Sequence, residues 1–289
     1  MVSTSGEQDI IIELLKNALK EDVGDGDHTS LATIQADAQG SASVRFKQDG
    51  VLSGLEVAIT LLQLVDPKIR SKSLAKEGDQ IVSGTVVMQL EGNIQSLLKA
   101  ERILLNCMQR MSGIATITRK FVNEVAGTKA RILDTRKTTP NFRVLEKKAV
   151  KDGGGWNHRF GLYDMILVKD NHVDACGGVK NAVNLVNAYL KKLGKNLPVE
   201  IEIRNTSELA ELLSIGSVNR ILLDNFQPEK LREAVRMIDG KFETEASGGI
   251  QLTNIRSYAE CGVDFISVGA LTHSYYSLDI SMKLTQPDG

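Results

Sequence analysis

The stretch VEIEIRNTSELAELLSIGSVNRILLDN, residues 199–225, decides the fold. It opens on a short apolar run at 199–203, continues through a helical pattern at 207–214, and closes on a second apolar run at 220–223. Strand, helix and strand in so short a span read as a parallel pair joined by a crossover helix. The same rhythm extends in both directions. Apolar runs recur at 131–134, 165–168, 242–246 and 265–268, and helical patterns lie near 142–151, 179–193, 228–238 and 254–261. Such repetition predicts parallel strands with right-handed crossovers, either a β/α barrel or an open doubly wound sheet.

Polar residues gather at or just past the C-terminal ends of these runs. Arg136 and Lys137 follow the first, Lys169 the second and Asp224 the fourth, while Glu202 sits late in the third. Ser247, Gly248 and Gly249 follow the fifth, and Gly269 follows the last. In both β/α architectures that edge carries the ligand site, so the chain reads as an enzyme. Arg136, Lys137, Arg159 and Lys169 supply cations, with His158 beside them. Arginine forks suit planar carboxylates, and lysine suits a phosphate or pyrophosphate. The turns Ser247-Gly248-Gly249 and Gly269-Ala270 border helical segments, where backbone N–H groups can approach a phosphate. Glu202 and Asp224 have the opposite sign. They are candidates to hold Mg²⁺ through water, contact sugar hydroxyls or offset a developing positive charge.

The block GGGWNHRFGLYDMILVKDNH, residues 153–172, holds two of the four histidines and the only tryptophan. Its clustered cations on a glycine-rich backbone point to a small, strongly anionic substrate. Trp156 is expected to be a packing anchor and the three glycines to let the backbone turn. His158 and His172 lack the spacing of a helical zinc pair, so neither is expected to ligate zinc. Lys147, Lys148 and Lys151 lie on a helical pattern and are expected on a solvated face. His28, in an acidic turn, is expected at the surface, and His273 is open between facing a phosphate and capping the last strand.

The chain has 289 residues, 42% of them hydrophobic and 25% charged, with a formal charge of −1. That balance offers no reason to expect nucleic-acid binding, and any electropositive site must be local. Cys107, Cys176 and Cys261 form no metal-ligand spacing and read as buried thiols in a reducing compartment. The N-terminal residues show no secretory pattern, and no apolar stretch approaches the roughly 20 residues of a membrane helix, so the expected location is the cytoplasm. Ahead of the β/α rhythm, residues 9–19 form an amphipathic helix, strands are expected at 42–46 and 50–53, and 76–92 reads as short strands with glycine turns. A strong helix follows at 94–111, and a second near 116–126 after a break at Ser112-Gly113.

The segments DTRKTTP (134–140), GGGWNHRFGLYDMILVKDNH, VEIEI, ILLDN, EASGGI and SVGALTHS, in that order, closely resemble the quinolinate phosphoribosyltransferase family. So do EDVGDGDHTS (21–30) and ERILLNCMQRMSGIATIT (101–118), and the likeness runs from about residue 10 to residue 283. It implies an N-terminal α/β sandwich, residues 1–115, and an open seven-stranded α/β barrel, residues 116–274, with the tail 275–289 packing back on the sandwich. It also implies a homodimer with shared sites, with further assembly to a hexamer left open. Arg102, which alone reads as a surface charge, would then reach the partner's site. The reaction implied is transfer of phosphoribosyl from phosphoribosyl pyrophosphate (PRPP) to quinolinate with loss of CO₂, using Mg²⁺. Quinolinate would meet Arg136, His158, Arg159, Lys169 and the neighbour's Arg102. The PRPP phosphate would meet Ser247, Gly248, Gly249, Gly269 and Ala270. Lys137, Lys169, Glu202 and Asp224 would serve catalysis, the two acids also holding the metal. Rival readings are a same-fold transferase acting on another pyridine or heterocyclic acid, and a non-catalytic PRPP-binding homologue.

Overall fold

A computed structural model describes residues 4–285, with side chains from residue 6. In chain order the elements are α1 (Thr4–Val23), α2 (His28–Thr33), β1 (Gln39–Phe46), β2 (Gly50–Val51), α3 (Leu55–Val65), β3 (Arg70–Ser73), β4 (Gln80–Ile81), β5 (Val86–Asn93) and α4 (Ile94–Glu124). Then come β6 (Arg131–Leu133), α5 (Arg143–Asp152), β7 (Ile166–Val168), α6 (Asp170–Ala175), α7 (Val179–Leu193), β8 (Val199–Ile203), α8 (Thr206–Ile215) and β9 (Arg220–Asp224). The chain ends with α9 (Pro228–Ile238), β10 (Glu243–Ser247), α10 (Ile255–Ala259), β11 (Phe265–Ser267), α11 (Ala270–His273) and β12 (Ile280–Thr285). These form two compact units, one of residues 4–119, 138–154 and 271–285, the other of 120–137 and 155–270. The sequence division at 115/116 places α5 in the barrel; in the structure it belongs to the first unit.

The first unit is built on an antiparallel sheet in the order β12-β1-β5-β3. Along β1, Ala42, Val44 and Phe46 are buried at every second position, the period of a half-buried strand. The tail returns here, with Ile280 opposite Phe46 and Thr285 opposite Ser41. Residues 286–289 of the expected tail lie outside the described residues. Helix α1 packs against α3 and α5.

Ser112-Gly113 does not break a helix, since α4 runs unbroken for 31 residues. Both residues serve tertiary contacts instead. Ser112 Oγ accepts a hydrogen bond from Ser53 N at 3.1 Å and donates one to Ser53 O at 3.0 Å. A Cβ on Gly113 would meet Tyr276 O at 2.2 Å. Gly113→Ala is therefore expected to destabilise the protein by about 1–3 kcal/mol, overpacking outweighing alanine's better helix propensity of about 1 kcal/mol. Urea unfolding of the two proteins measures it.

The second unit is a parallel sheet in the order β6-β11-β10-β9-β8-β7. Strands consecutive in sequence lie side by side from β7 to β11, and β11 returns to β6. The expected seventh position is filled by a single residue: Trp156 forms a parallel bridge to Leu133. Its N–H donates to Ile132 O at 2.8 Å, and its O accepts from Asp134 N at 3.1 Å. Trp156 is thus not a buried packing anchor. Its side chain is 51% exposed, and the Arg131 guanidinium lies over the ring, 4.4 Å from the centroid. The short β7 and the one-residue bridge leave the barrel open between them.

One face of these strands is apolar, with Ile201, Ile203, Ile221, Leu223 and Ala246 buried. The opposite face carries Glu200, Glu202, Arg220, Asp224, Glu243, Glu245 and Ser247, because those residues alternate with the apolar ones. The barrel interior is therefore charged, and the partners must satisfy one another.

Candidate active site

At the C-terminal ends of the strands the expected residues come together in two groups. The first is cationic. Arg136 follows β6, and Arg159 follows the Trp156 bridge. Arg159 is 9% exposed, and its guanidinium donates to Met165 O at 3.2 Å. Burial first, and the neighbouring Arg136 second, lower its pKa from the usual arginine value. Two guanidiniums held together in a partly dry site repel one another, and a bound dianion relieves that repulsion.

The second group is acidic. Glu202 is the last residue but one of β8, Asp224 ends β9, and Asp170 opens α6 just past β7. The Glu202 carboxyl is raised by burial first, then by Asp224 and Asp170, with Lys169 opposing. The Asp224 carboxyl is also raised, by burial and then Asp170, against a hydrogen bond from Asn225 and the charges of Lys169 and Lys137. Three mutually repelling carboxylates supply hard oxygen donors, a set that fits Mg²⁺. Lys169 N donates to His172 Nδ1 at 3.0 Å, so His172 caps the first turn of α6.

The glycine turns occupy adjacent strand ends, since β10 pairs with β11. Gly248 has φ +96°, and a Cβ there would meet Asn225 Oδ1 at 2.2 Å, so only glycine fits beneath Asn225. Gly249 follows with φ +62°, and its Cα faces open space. Gly153 serves packing rather than turning, because a Cβ would meet Ala115 O at 2.6 Å.

His158 departs from expectation. Instead of facing a quinolinate carboxylate at the mouth, its ring points into the barrel and its side chain is only 7% exposed. Nε2 lies 3.0 Å from Glu200 Oε2 and 3.5 Å from Glu245 Oε2, while Nδ1 accepts the Arg159 N–H at 2.7 Å. This contact turns the Nε2 edge of the ring toward the two glutamates. The backbone N–H of His158 donates to the buried Asp134 at 2.8 Å. Glu200 and Glu245 are fully buried, and burial raises both carboxyls, Glu245 to about 7. Arg220 bonds Glu245 at 3.1 Å and Glu243 at 3.0 Å. Among the described residues His158, Glu200 and Glu245 are the one group of three whose ligand atoms lie within 4.8 Å of one another; Glu202, Asp224 and Asp170 do not converge so closely, which suits an ion held through water. Arg220 and the nearby Arg159 already balance the two carboxylates, so the group reads as a charged core.

Sequence reasoning passed over Asp134, Asp170, Glu200, Arg220 and Glu245. Period-2 alternation in VEIEI and ETEAS was the available signal, since it places Glu200 with Glu202 and Glu245 with Ser247. Lys147 is also corrected: it is 2% exposed rather than solvated. Lys148 is half-buried and pairs with Glu56 at 2.7 Å, and Lys151 is exposed. His28 and His273 are exposed, His273 Nδ1 lying 2.7 Å from Ser274 Oγ. Cys107 and Cys261 are buried, Cys176 is half-buried, and all three are free. Arg102 lies exposed on α4. No helix among the described residues is long and apolar enough to cross a membrane.

Residues 27–112 match the family domain "Quinolinate phosphoribosyl transferase, N-terminal domain", and residues 114–283 match the corresponding C-terminal domain. The chain is 43% identical over 286 residues to the chloroplastic carboxylating nicotinate-nucleotide pyrophosphorylase of Arabidopsis thaliana, covering 94% of this chain and 82% of that one. It is 40% identical over 273 residues to the probable carboxylating nicotinate-nucleotide pyrophosphorylase of Bacillus subtilis, covering 94% and 93%. The NadC structure from Streptococcus pyogenes superposes with a TM-score of 0.91 at 40% identity, covering 96% of this chain and 97% of that one. With both domains matched in order along a sandwich and an open barrel, the chain belongs to the quinolinate phosphoribosyltransferase family.

Proposed function

We propose that this chain transfers the phosphoribosyl group of PRPP to quinolinate, yielding nicotinate mononucleotide, pyrophosphate and CO₂ for de novo NAD synthesis. The juxtaposed Arg136 and Arg159 carry the reading, because a like-charged pair in a partly dry mouth calls for two adjacent carboxylates. A monocarboxylate such as nicotinate leaves one guanidinium uncompensated, which disfavours the rival transferase. The filled acidic group beside the cations disfavours a binding protein without turnover.

In this reading Arg136, Arg159 and the partner's Arg102 hold the dicarboxylate, with Lys169 alongside. Ser247, Gly248, Gly249, Gly269 and Ala270 receive the 5′-phosphate. Lys137 and Lys169 meet the pyrophosphate. Glu202, Asp224 and Asp170 face the ribose and hold Mg²⁺ through water. When bound, the ion neutralises charge on the leaving pyrophosphate. The residues orient the pyridine nitrogen toward C1′ of the ribose, and the acids offset positive charge there as pyrophosphate departs. The product ring is a pyridinium. Its C2–carboxylate bond breaks, CO₂ leaves, and the electron pair on C2, stabilised by N⁺, takes a proton. Lys137, Lys169 or solvent supplies that proton.

Chelation with EDTA is expected to abolish turnover, and added Mg²⁺ to restore it. Glu202→Gln should raise the Mg²⁺ concentration for half-maximal rate; an unchanged requirement removes Glu202 from the metal's surroundings. The active unit in this reading is a homodimer with shared sites. Mixing inactive Arg102→Ala with inactive Lys169→Ala should then restore activity through hybrid sites. No recovery after verified subunit exchange contradicts the sharing. The proposed location is the cytoplasm, where the free thiols stay reduced, and cell fractionation tests it.

A further inference from the structure

Beneath the cationic mouth lies a charged core that the proposed reaction does not use. Glu200 comes from β8, Arg220 from β9, Glu245 from β10 and Ser267 from β11, and His158 comes from the turn after the Trp156 bridge. The His158 ring joins this core to the mouth. One edge faces both glutamates, at 3.0 Å and 3.5 Å. The other edge accepts the backbone N–H of Arg159 at 2.7 Å. The turn is pinned at two further points: Asp134 accepts from His158 N at 2.8 Å, and Asp164 accepts from Phe160 N at 2.7 Å and Gly161 N at 2.9 Å. The His158 ring thus ties the Arg159 backbone to side chains of β8 and β10.

We propose that Glu200 and Glu245, acting through the His158 ring, are positioning residues that set the Arg159 guanidinium for the substrate carboxylate. The proposal rests on the functional reading above for the identity of that carboxylate. Its physical basis is mechanical. Both carboxylates are 0% exposed, Arg220 bonds Glu245 at 3.1 Å, and together they face one edge of the ring. With Glu245 truncated, the ring loses one side of its socket and Arg159 N loses a fixed acceptor. A displacement of about 1 Å at a substrate-holding group can cost on the order of 10²-fold.

The test compares Glu245→Ala and Glu245→Gln with wild type in steady-state assays varying each substrate. The proposal expects Glu245→Ala to raise KM for quinolinate about 10- to 100-fold while KM for PRPP stays near wild type. Glu245→Gln, which keeps the shape of the socket, should recover most of the loss. Equal rises in both KM values, or no change in either, would overturn the proposal, because a general loss of structure affects both substrates alike. If Glu245→Ala does not fold, Glu200→Gln is expected to show the same one-sided rise at smaller size, and a balanced effect counts against the proposal. Should wild type ignore quinolinate, the functional reading fails by itself. The crystal structure of Glu245→Ala then decides the inference: Arg159 displaced supports it, and Arg159 unmoved overturns it.

Discussion

Arg159→Ala is expected to lower kcat/KM for quinolinate by about 10²–10³-fold, by comparison with the loss of one preorganised oxyanion-type donor. The guanidinium is 9% exposed, fixed by Met165 O, and set beside Arg136. Charge preorganised in a partly dry site costs no reorganisation when substrate arrives, so its loss is felt more than that of an exposed lysine. Arg159→Lys should recover little, because an ammonium has neither the reach nor the fork for a planar carboxylate. The loss should fall mostly on KM for quinolinate, with KM for PRPP near wild type. Steady-state kinetics with both substrates varied checks this, and an Arg159→Ala enzyme with unchanged quinolinate KM contradicts the assignment.

The largest stability effect is expected from Glu146→Ala, at about 3–5 kcal/mol, the cost of stripping one partner from a buried ion pair. Glu146 is fully buried on α5, and Arg110 on α4 donates to it from Nε at 3.0 Å and also from Nη2. The Thr139 N–H donates to the other carboxylate oxygen at 3.2 Å, and Arg110 Nη2 also bonds Thr139 Oγ1. The Arg110 guanidinium lies between the Phe142 and Tyr275 rings, 5.0 Å and 4.9 Å from their centroids. Alanine at 146 leaves that cation part-buried with its carboxylate gone and frees the Thr139 amide. Glu146→Gln keeps an oxygen for the amide and should cost less. Urea unfolding midpoints of the three proteins give the order, and a Glu146→Ala protein as stable as wild type would show that the pair contributes nothing net.

Two helices, α7 and α9, run over the same residues that the sequence pattern marks. Helix α7 stops at Gly194, whose φ of +62° suits a left-handed cap, and α9 starts with Pro228 in its first turn. The runs of β8 and β9 were legible because Ile, Val and Leu recur along their apolar face between turn residues. Ser112-Gly113 misled because its glycine answers to the Tyr276 backbone, far away in sequence, and not to a turn. The Trp156 bridge was invisible for the opposite reason: one paired residue has no period. At the site, the strand-end residues were found by position, since that edge carries chemistry in β/α folds. Alternation marks the face of Glu200 and Glu245 but not their partners, and Glu146 on a helix has no such mark, because the partner of a buried charge lies far off in sequence. The place of His158 is hidden for the same reason, because its neighbours Glu200 and Glu245 come from strands 42 and 87 residues onward.

The central claim is that the paired arginines select a dicarboxylate that is decarboxylated as the nucleotide forms. It is tested most directly by supplying PRPP and Mg²⁺ with quinolinate labelled in its 2-carboxylate, with nicotinate in a parallel reaction, and measuring CO₂ and nucleotide together. One CO₂ for every nicotinate mononucleotide formed from quinolinate, with little nucleotide from nicotinate, is the predicted result. Nucleotide formed as readily from nicotinate, or from quinolinate without release of label, contradicts the account.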